Sequence, residues 1–158
     1  MHHVAIPGCT RIGVSAVAES FATSWRFQVW IGMYDLGSFT TCDGLAANLE
    51  VEERWEGGLE AHRWVIPTRL SYSNIVLTRP LTSSTVAAWL WLRSQTMQSI
   101  PTIGTIAALA PNRSVIARWS MERVVPVRWE GPSFSAEDSR PGMETLEIAH
   151  HGFIVSPF

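Results

Sequence analysis

The sequence predicts a mainly β fold in which two antiparallel sheets pack together as a sandwich or barrel, with one α-helix at its flank. Three observations support this class. Short segments in which apolar and polar residues alternate recur along the chain, which is typical of half-buried strands. Glycines, prolines and the Asp43-Gly44 pair separate these segments as turn signals. One stretch alone has convincing helical spacing, and many short strands with a single helix favour a sheet-on-sheet domain.

Length and composition limit the classes of protein that need to be considered. The chain has 158 residues, enough for one domain with an unaided core. Its net charge of −2 and its lack of Lys-rich or Arg-rich runs argue against sequence-specific binding to nucleic acid. No apolar run is long enough for a membrane span, and no leader pattern opens the chain, so we expect assembly in the cytoplasm. The two cysteines, Cys9 and Cys42, lack metal-ligand spacing.

The first elements follow from local patterns. Residues 1–24 are broken by Gly and Pro and predict an N-terminal arm, followed by a domain over residues 25–158. Arg26–Met33 alternates as a half-buried strand, and Leu36–Cys42 is expected to pair back on it through the turn between Gly32 and Gly37.

The next strand is predicted at Asn48–Trp55, where two different faces alternate. One face, with Leu49, Val51 and Trp55, is expected to meet a core, and the other is expected to meet water. The exposed face carries Glu50, Glu52 and Arg54. Arg63–Ile66 and Leu70–Arg79 are expected to continue the same sheet.

The predicted helix is Ser83–Met97, with Ser83 or Ser84 as its cap. Its expected sheet-covering face is formed by residues at helical spacing: Val86, Trp89, Leu90, Arg93 and Met97. The remaining predicted strands are Thr105–Ala110, Val115–Met121, Val125–Trp129 and Thr145–Ala149.

Candidate catalytic and metal-binding groups are few. Glu50 and Glu52 share a strand face at a spacing that suits paired carboxylates in glycosidases, but the polar face of an amphipathic strand is usually only solvated. Adjacent histidines such as His150 and His151 point to opposite faces of a strand and cannot chelate one ion. We therefore expect no catalytic, cofactor-binding or metal-binding residues. An enzyme remains an alternative, which requires an activity that Glu52→Gln removes.

Three blocks of sequence resemble one known family when they are taken in order. The first is Val51–Arg79, which contains Glu56-Gly57-Gly58, a proline at Pro67 and the pattern Tyr-x-Asn-hydrophobic-x-Leu-x-Arg up to Arg79. The others are Ala117–Pro132 and Glu144–Gly152. Together they resemble the inner tube subunits of contractile phage tails, phage-derived bacteriocins and related contractile injection systems.

The resemblance implies a tail-tube fold and an assembly. Six subunits form a ring, rings stack, and sheath and baseplate proteins are partners, while DNA or effector cargo passes through the lumen. The face with Glu50, Glu52 and Arg54 is then expected to line the lumen. The loop after it is expected to contact the neighbouring ring through Gly57, Gly58, Leu59, Glu60 and His62.

Two further interpretations stay open at this point. Exposed apolar stretches, including Ile100–Pro111 and Phe153–Phe158, suggest a specialised ring next to the baseplate or at the far end of the tube, since such surface marks a partner. The alternative from another class is a monomeric β-barrel that binds a small ligand, with Trp30, Trp55 and Trp64 lining its pocket.

Overall fold

The computed structural model describes residues 26–55, 63–97, 101–132 and 141–154, so the predicted arm over residues 1–24 lies outside the described residues. In these ranges the chain forms eleven strands and one helix. The elements are β1 (Arg26–Ile31), β2 (Tyr34–Phe39), β3 (Thr41–Asp43), β4 (Ala47–Trp55), β5 (Arg63–Tyr72), β6 (Ile75–Pro80), α1 (Thr85–Met97), β7 (Gly104–Leu109), β8 (Val115–Glu122), β9 (Val125–Glu130), β10 (Met143–Ala149) and β11 (Gly152–Ile154).

The strands form three antiparallel sheets. A five-stranded sheet has the order β11-β8-β7-β1-β2, a four-stranded sheet has the order β3-β6-β10-β9, and β4 pairs with β5 alone. Alternate side chains of the two larger sheets meet in one core, as strand geometry requires. The core members are Val29, Ile31, Leu36, Phe39, Ile75, Leu77, Ile106, Met121, Leu146 and Ile148, joined by Ala88 and Trp91 of α1. The predicted mainly β class with one flanking helix is confirmed.

The predicted face of α1 is wrong. Ala88 and Trp91 are fully buried against the sheets, whereas the residues predicted to cover the sheet are all exposed: Val86, Trp89, Leu90, Arg93 and Met97. The helix is apolar on both sides, so periodicity alone could not decide which side faces inward. The helix begins at Thr85, directly after Ser84, one of the two residues expected to cap it.

Arg63–Ile66 pairs with β4 as predicted, but the prediction that Leu70–Arg79 continues the same sheet is wrong, because this stretch divides between β5 and β6, which lie in different sheets. The strand that begins at Arg63 runs through Pro67 to Tyr72, and the chain leaves it at Ser73 before β6 begins. Pro67 is tolerated because the ladder is interrupted there, where the register shifts between Glu50 and Val51, and prolines in sheets are confined to such bulges and to edges.

A second bulge, in β2, positions the buried side chain of Arg79. The register between β1 and β2 shifts at Val29 and Trp30, which leaves Leu36 unpaired, and the next residue, Gly37, has φ +82°. A positive φ of this kind favours glycine. The bulge turns the Leu36 side chain into the core and its carbonyl oxygen towards Arg79 Nη1, which donates a hydrogen bond to it.

Candidate assembly interface

The hairpin of β4 and β5 extends away from the sandwich with both faces open. Its strands pair with each other from Ala47 opposite Tyr72 to Trp55 opposite Arg63, and no third strand among the described residues pairs with them. Every described side chain from Leu49 to Arg54 and from Arg63 to Leu70 is exposed. Leu49 and Val51, which were expected to meet a core, are 55% and 52% exposed. The expectation of an intrachain core contact is therefore wrong.

The hairpin is nevertheless amphipathic, because residues directly opposite each other share a face. The face that we call the apolar hairpin face carries Leu49, Val51, Val65, Pro67 and Leu70. Pro67 and Leu70 lie three residues apart and would otherwise point to opposite sides. Thr68 is the extra residue of the bulge, and it resets the alternation so that both remain on this face.

The opposite side, which we call the polar hairpin face, brings together all three residues predicted to line a lumen. Glu50, Glu52 and Arg54 are exposed on β4, and Arg54 Nε lies 3.1 Å from Glu52 Oε1. An exposed pair of this kind contributes only about 0.2–1 kcal/mol, so its main effect is on surface charge. Trp64 and Ile66 lie opposite Arg54 and Glu52 on the same face, and the sequence analysis did not place them there.

The residues predicted to contact a neighbouring ring, Gly57, Gly58, Leu59, Glu60 and His62, lie outside the described residues. The structure does describe where the hairpin approaches that segment. On the apolar side of this end, Arg63 Nη2 lies 3.1 Å from Glu53 Oε1, with both side chains about half exposed.

Two of the sequence blocks that suggested the family meet on adjacent strands. The block ending at Arg79 forms β6, and the block from Glu144 to Gly152 spans β10 and the turn after it. Arg79 lies opposite Glu144, is buried with it, and donates a hydrogen bond to its carboxylate from Nε. Asn74 Nδ2 donates to Glu147 Oε1 at 2.8 Å. These motif residues therefore stabilise the sandwich rather than form a reactive site.

The base of the hairpin is anchored by an aromatic cluster. The ring of Tyr72 lies 5.7 Å from that of Phe153 and 5.4 Å from that of His150, and a side chain at Gly152 would contact the Tyr72 ring. His150 is buried and His151 is exposed, as expected for neighbours with opposite directions. Burial lowers the pKa of His150 below its usual 6.5, and this effect outweighs the opposing influence of the nearby backbone at Gly152 and Ser73.

A second exposed apolar surface, which we call the α1–β9 patch, consists of Val86, Trp89 and Leu90 of α1 with Val127 and Trp129 of β9. The first three and Val127 are between 47% and 62% exposed. The rings of Trp89 and Trp129 lie 5.5 Å apart, and with Thr85 and Val86 they line an open cleft of about 340 Å³. Sequence analysis missed this surface because it assigned the same helical residues to the core.

The residues proposed for a ligand pocket do not converge. Trp30 lies in the five-stranded sheet, whereas Trp64 lies on the separate hairpin and is 55% exposed. Within the described ranges, no group of three or more His, Cys, Asp or Glu side chains could hold a metal ion. None of the helices described has the length and apolar character that crossing a membrane requires.

Comparison with known proteins places these features in a family. The model of the T4-like virus tail tube protein gp19 family matches residues 23–154. No curated protein matches the chain. These findings, like the positions of the tryptophans, give no support to the ligand-binding alternative.

Solved structures with the same fold come from contractile injection systems. A chain of the PVC sheath-tube complex of an extracellular contractile injection system, in the extended state, is 19% identical with a TM-score of 0.70, over 87% of this chain and 92% of that chain. A chain of the anti-feeding prophage tube-terminating cap is 19% identical with a TM-score of 0.66, over 88% and 93%. A chain of the anti-feeding prophage baseplate is 18% identical with a TM-score of 0.65, over 85% and 93%.

Proposed function

Because the chain belongs to the T4-like virus tail tube protein gp19 family, we propose that it is the structural subunit of an inner tube in a contractile phage tail or contractile injection system. Six copies form a ring, and rings stack around a continuous lumen. The role is mechanical: the tube transmits thrust when a surrounding sheath contracts, and it carries DNA or effector cargo. No catalytic step is part of this function.

The observation that carries the proposal is the unsupported hairpin. A two-stranded hairpin is marginally stable at best in water, and it needs further strands or a packing surface to persist. Within the part of the chain that the structure describes, β4 and β5 have no third strand, and they expose apolar side chains on one face. Neighbouring copies in a ring would pair with the edges of the hairpin and would bury its apolar face. Closure of the ring would also remove the exposed edges that otherwise promote uncontrolled pairing.

The polar hairpin face is proposed to line the lumen. Glu50, Glu52 and Arg54 are charged and exposed on one side of β4, and repetition around a ring would give a wall of charged side chains. Glu50 and Glu52 are balanced on this face by Arg54 and by Arg69, which lies opposite Glu50, so the wall would be hydrated and close to neutral. Trp64 on the same face would add an aromatic ring to each repeat.

Contact between rings is assigned to the segment that joins the two hairpin strands. Gly57, Gly58, Leu59, Glu60 and His62 continue from the free end of the hairpin, the part of it farthest from the Tyr72 anchor along the strands. Two adjacent glycines give the backbone the freedom that a crossing to another ring requires.

Sheath and baseplate proteins are the proposed partners, and the particle is proposed to assemble in the cytoplasm. Similar chains occur in a sheath-tube complex, a tube-terminating cap and a baseplate, which supports partners of these kinds. The similar baseplate and cap chains support a specialised ring near the baseplate or at the terminus, whereas the stretch Ile100–Pro111 does not, because Ile106, Ala107 and Ala108 are buried in β7. Locating the chain in a reconstruction of the particle tests this position, and its presence in every ring would exclude it.

Negative-stain electron microscopy of the purified protein over a concentration series tests the assembly. We expect sixfold rings and stacked tubes at high concentration. Replacement of the Gly57-Gly58 pair by two prolines should leave single rings and abolish stacking. A wild-type protein that stays monomeric, both alone and with the baseplate proteins encoded beside it, would refute the proposed function.

A further inference from the structure

Two apolar surfaces have no partner among the residues that the structure describes. The first is the apolar hairpin face, and the second is the α1–β9 patch. A helix that is apolar on all sides is normally buried on all sides, yet α1 buries only the side with Ala88 and Trp91, while Val86 and Leu90 are 62% and 50% exposed. Contiguous exposed apolar surface of this kind marks an interaction site.

The strand beside α1 restricts how a partner can bind. β9 is an edge strand of the four-stranded sheet. Pro126 lacks a backbone donor, the register shifts between Glu147 and Ile148 so that Val127 bulges outward, and Arg128 and Glu130 place charges along the strand. Proline, bulges and charges all oppose the addition of another strand. The occupant therefore binds through side chains that enter the cleft beside Trp89 and Trp129.

The symmetry of a ring defines what that occupant must be. A head-to-tail ring requires two different, mutually complementary surfaces on every subunit, and this chain has one apolar surface on its hairpin and another on α1 and β9. We propose that the apolar hairpin face of one copy packs on the α1–β9 patch of the next copy, with Leu49, Val65 or Leu70 entering the tryptophan cleft. This inference rests on the proposed ring assembly and identifies its subunit contact.

Dimensions and charge are compatible with this contact. The nine residues of β4 span about 30 Å at roughly 3.3 Å per residue, and the thirteen residues of α1 span about 20 Å at 1.5 Å per residue. The hairpin is therefore long enough to cross α1 and reach β9. The hairpin surface is bordered by a neutral ion pair, Glu53 with Arg63, so it brings no net charge to the contact.

Three variants test the contact. The helix variant is Val86→Asp with Leu90→Arg, both at exposed positions. The hairpin variant is Leu49→Glu with Leu70→Lys, which lie directly opposite each other, so that the new charges form a cross-strand pair and preserve the hairpin. The control is Met33→Asp, because Met33 is 96% exposed in the turn after β1 and belongs to neither surface. Circular dichroism establishes that all three fold.

Native mass spectrometry and chemical cross-linking then measure association. We expect wild type and the Met33→Asp control to form rings. Each test variant alone should stay monomeric at concentrations at least tenfold above the concentration at which wild type forms rings. A mixture of the two variants retains one intact copy of each surface and should form dimers that grow no further.

The remaining outcomes overturn the inference. Rings from the helix variant would show that the α1–β9 patch binds something other than a second copy. Dimers from the hairpin variant alone would show that α1 pairs with α1, and a monomeric mixture would show that the two surfaces do not meet. Failure of wild type to assemble refutes the proposed function itself, and this contact with it, so the two failures are distinguishable.

Discussion

Removal of Glu144 from its pair with Arg79 should cost a large fraction of the stability of this domain. Both side chains are almost completely inaccessible to solvent. Glu144 accepts a hydrogen bond from Arg79 Nε, and Arg79 Nη1 donates to the carbonyl oxygen of Leu36. The guanidinium carbon also lies 4.4 Å from the centre of the Phe39 ring. Glu144→Ala leaves this cation buried without its anion.

The magnitude follows from the burial of the pair. Loss of one partner of a buried pair costs about 3–5 kcal/mol, against a total stability of about 5–15 kcal/mol for a typical domain. In a chain of this size each kcal/mol changes the Tm by about 2–4 °C, so we expect a decrease of about 6–20 °C. The double variant Arg79→Met with Glu144→Leu removes both charges and leaves only the Leu36 carbonyl unsatisfied, which costs about 1–3 kcal/mol.

Urea denaturation followed by tryptophan fluorescence measures these differences. All chains should also carry the hairpin variant described above, because assembly would otherwise raise the apparent stability. The double variant should be more stable than Glu144→Ala by at least about 1 kcal/mol. If Glu144→Ala loses less than about 1 kcal/mol, or if the double variant is the less stable of the two, the pair does not have the buried character argued from the structure.

Three other predictions concern single sites. His150 should make the protein less stable as the pH falls below 6.5. The pKa of His150 is lowered in the folded state, so the unfolded chain binds a proton that the folded chain does not. The variant His150→Phe should therefore flatten this part of a profile of stability against pH. Burial raises the pKa of the Cys42 thiol to about 12; in a Cys9→Ser background, mass spectrometry should find it alkylated by iodoacetamide at pH 8 only after unfolding, and rapid labelling of the folded protein would contradict this. Gly44→Ala should destabilise the domain by at least about 2 kcal/mol in urea, because Gly44 has φ +87° and the added carbon would lie 2.0 Å from the Asn74 carbonyl oxygen; a loss below about 0.5 kcal/mol would contradict it.

Sequence patterns predicted most of the strands because their alternation reports a local property. Arg26–Met33 and Val115–Met121 were located to within about two residues, and the turn between β7 and β8 formed where Pro111 and Asn112 indicated it. The short strand β11 was missed because three residues are too few to show a period. The bulge at Thr68 was also missed, since it depends on how two distant segments align.

The direction in which an element faces was harder to predict, because that choice depends on partners elsewhere in the chain. On α1, Trp89 and Trp91 are equally apolar, and only contacts with the sheets determine that Trp91 is the buried one. On β4 the alternation was recognised correctly, but Leu49 and Val51 are exposed, and no described residue of the chain buries them. Sequence periodicity identifies an apolar surface that must be buried, but it does not identify the molecule that buries it.

The separation of the hairpin from the sandwich has a consequence for variation and engineering. The core that holds the domain together consists of Val124 and residues from β1, β2, β6, β7, β8, β10 and α1, and the described hairpin residues contribute none of it. Substitutions on the polar hairpin face should therefore leave the free energy of unfolding nearly unchanged. The proposed lumen wall can therefore be changed in charge and chemistry without altering the folding of the scaffold that carries it.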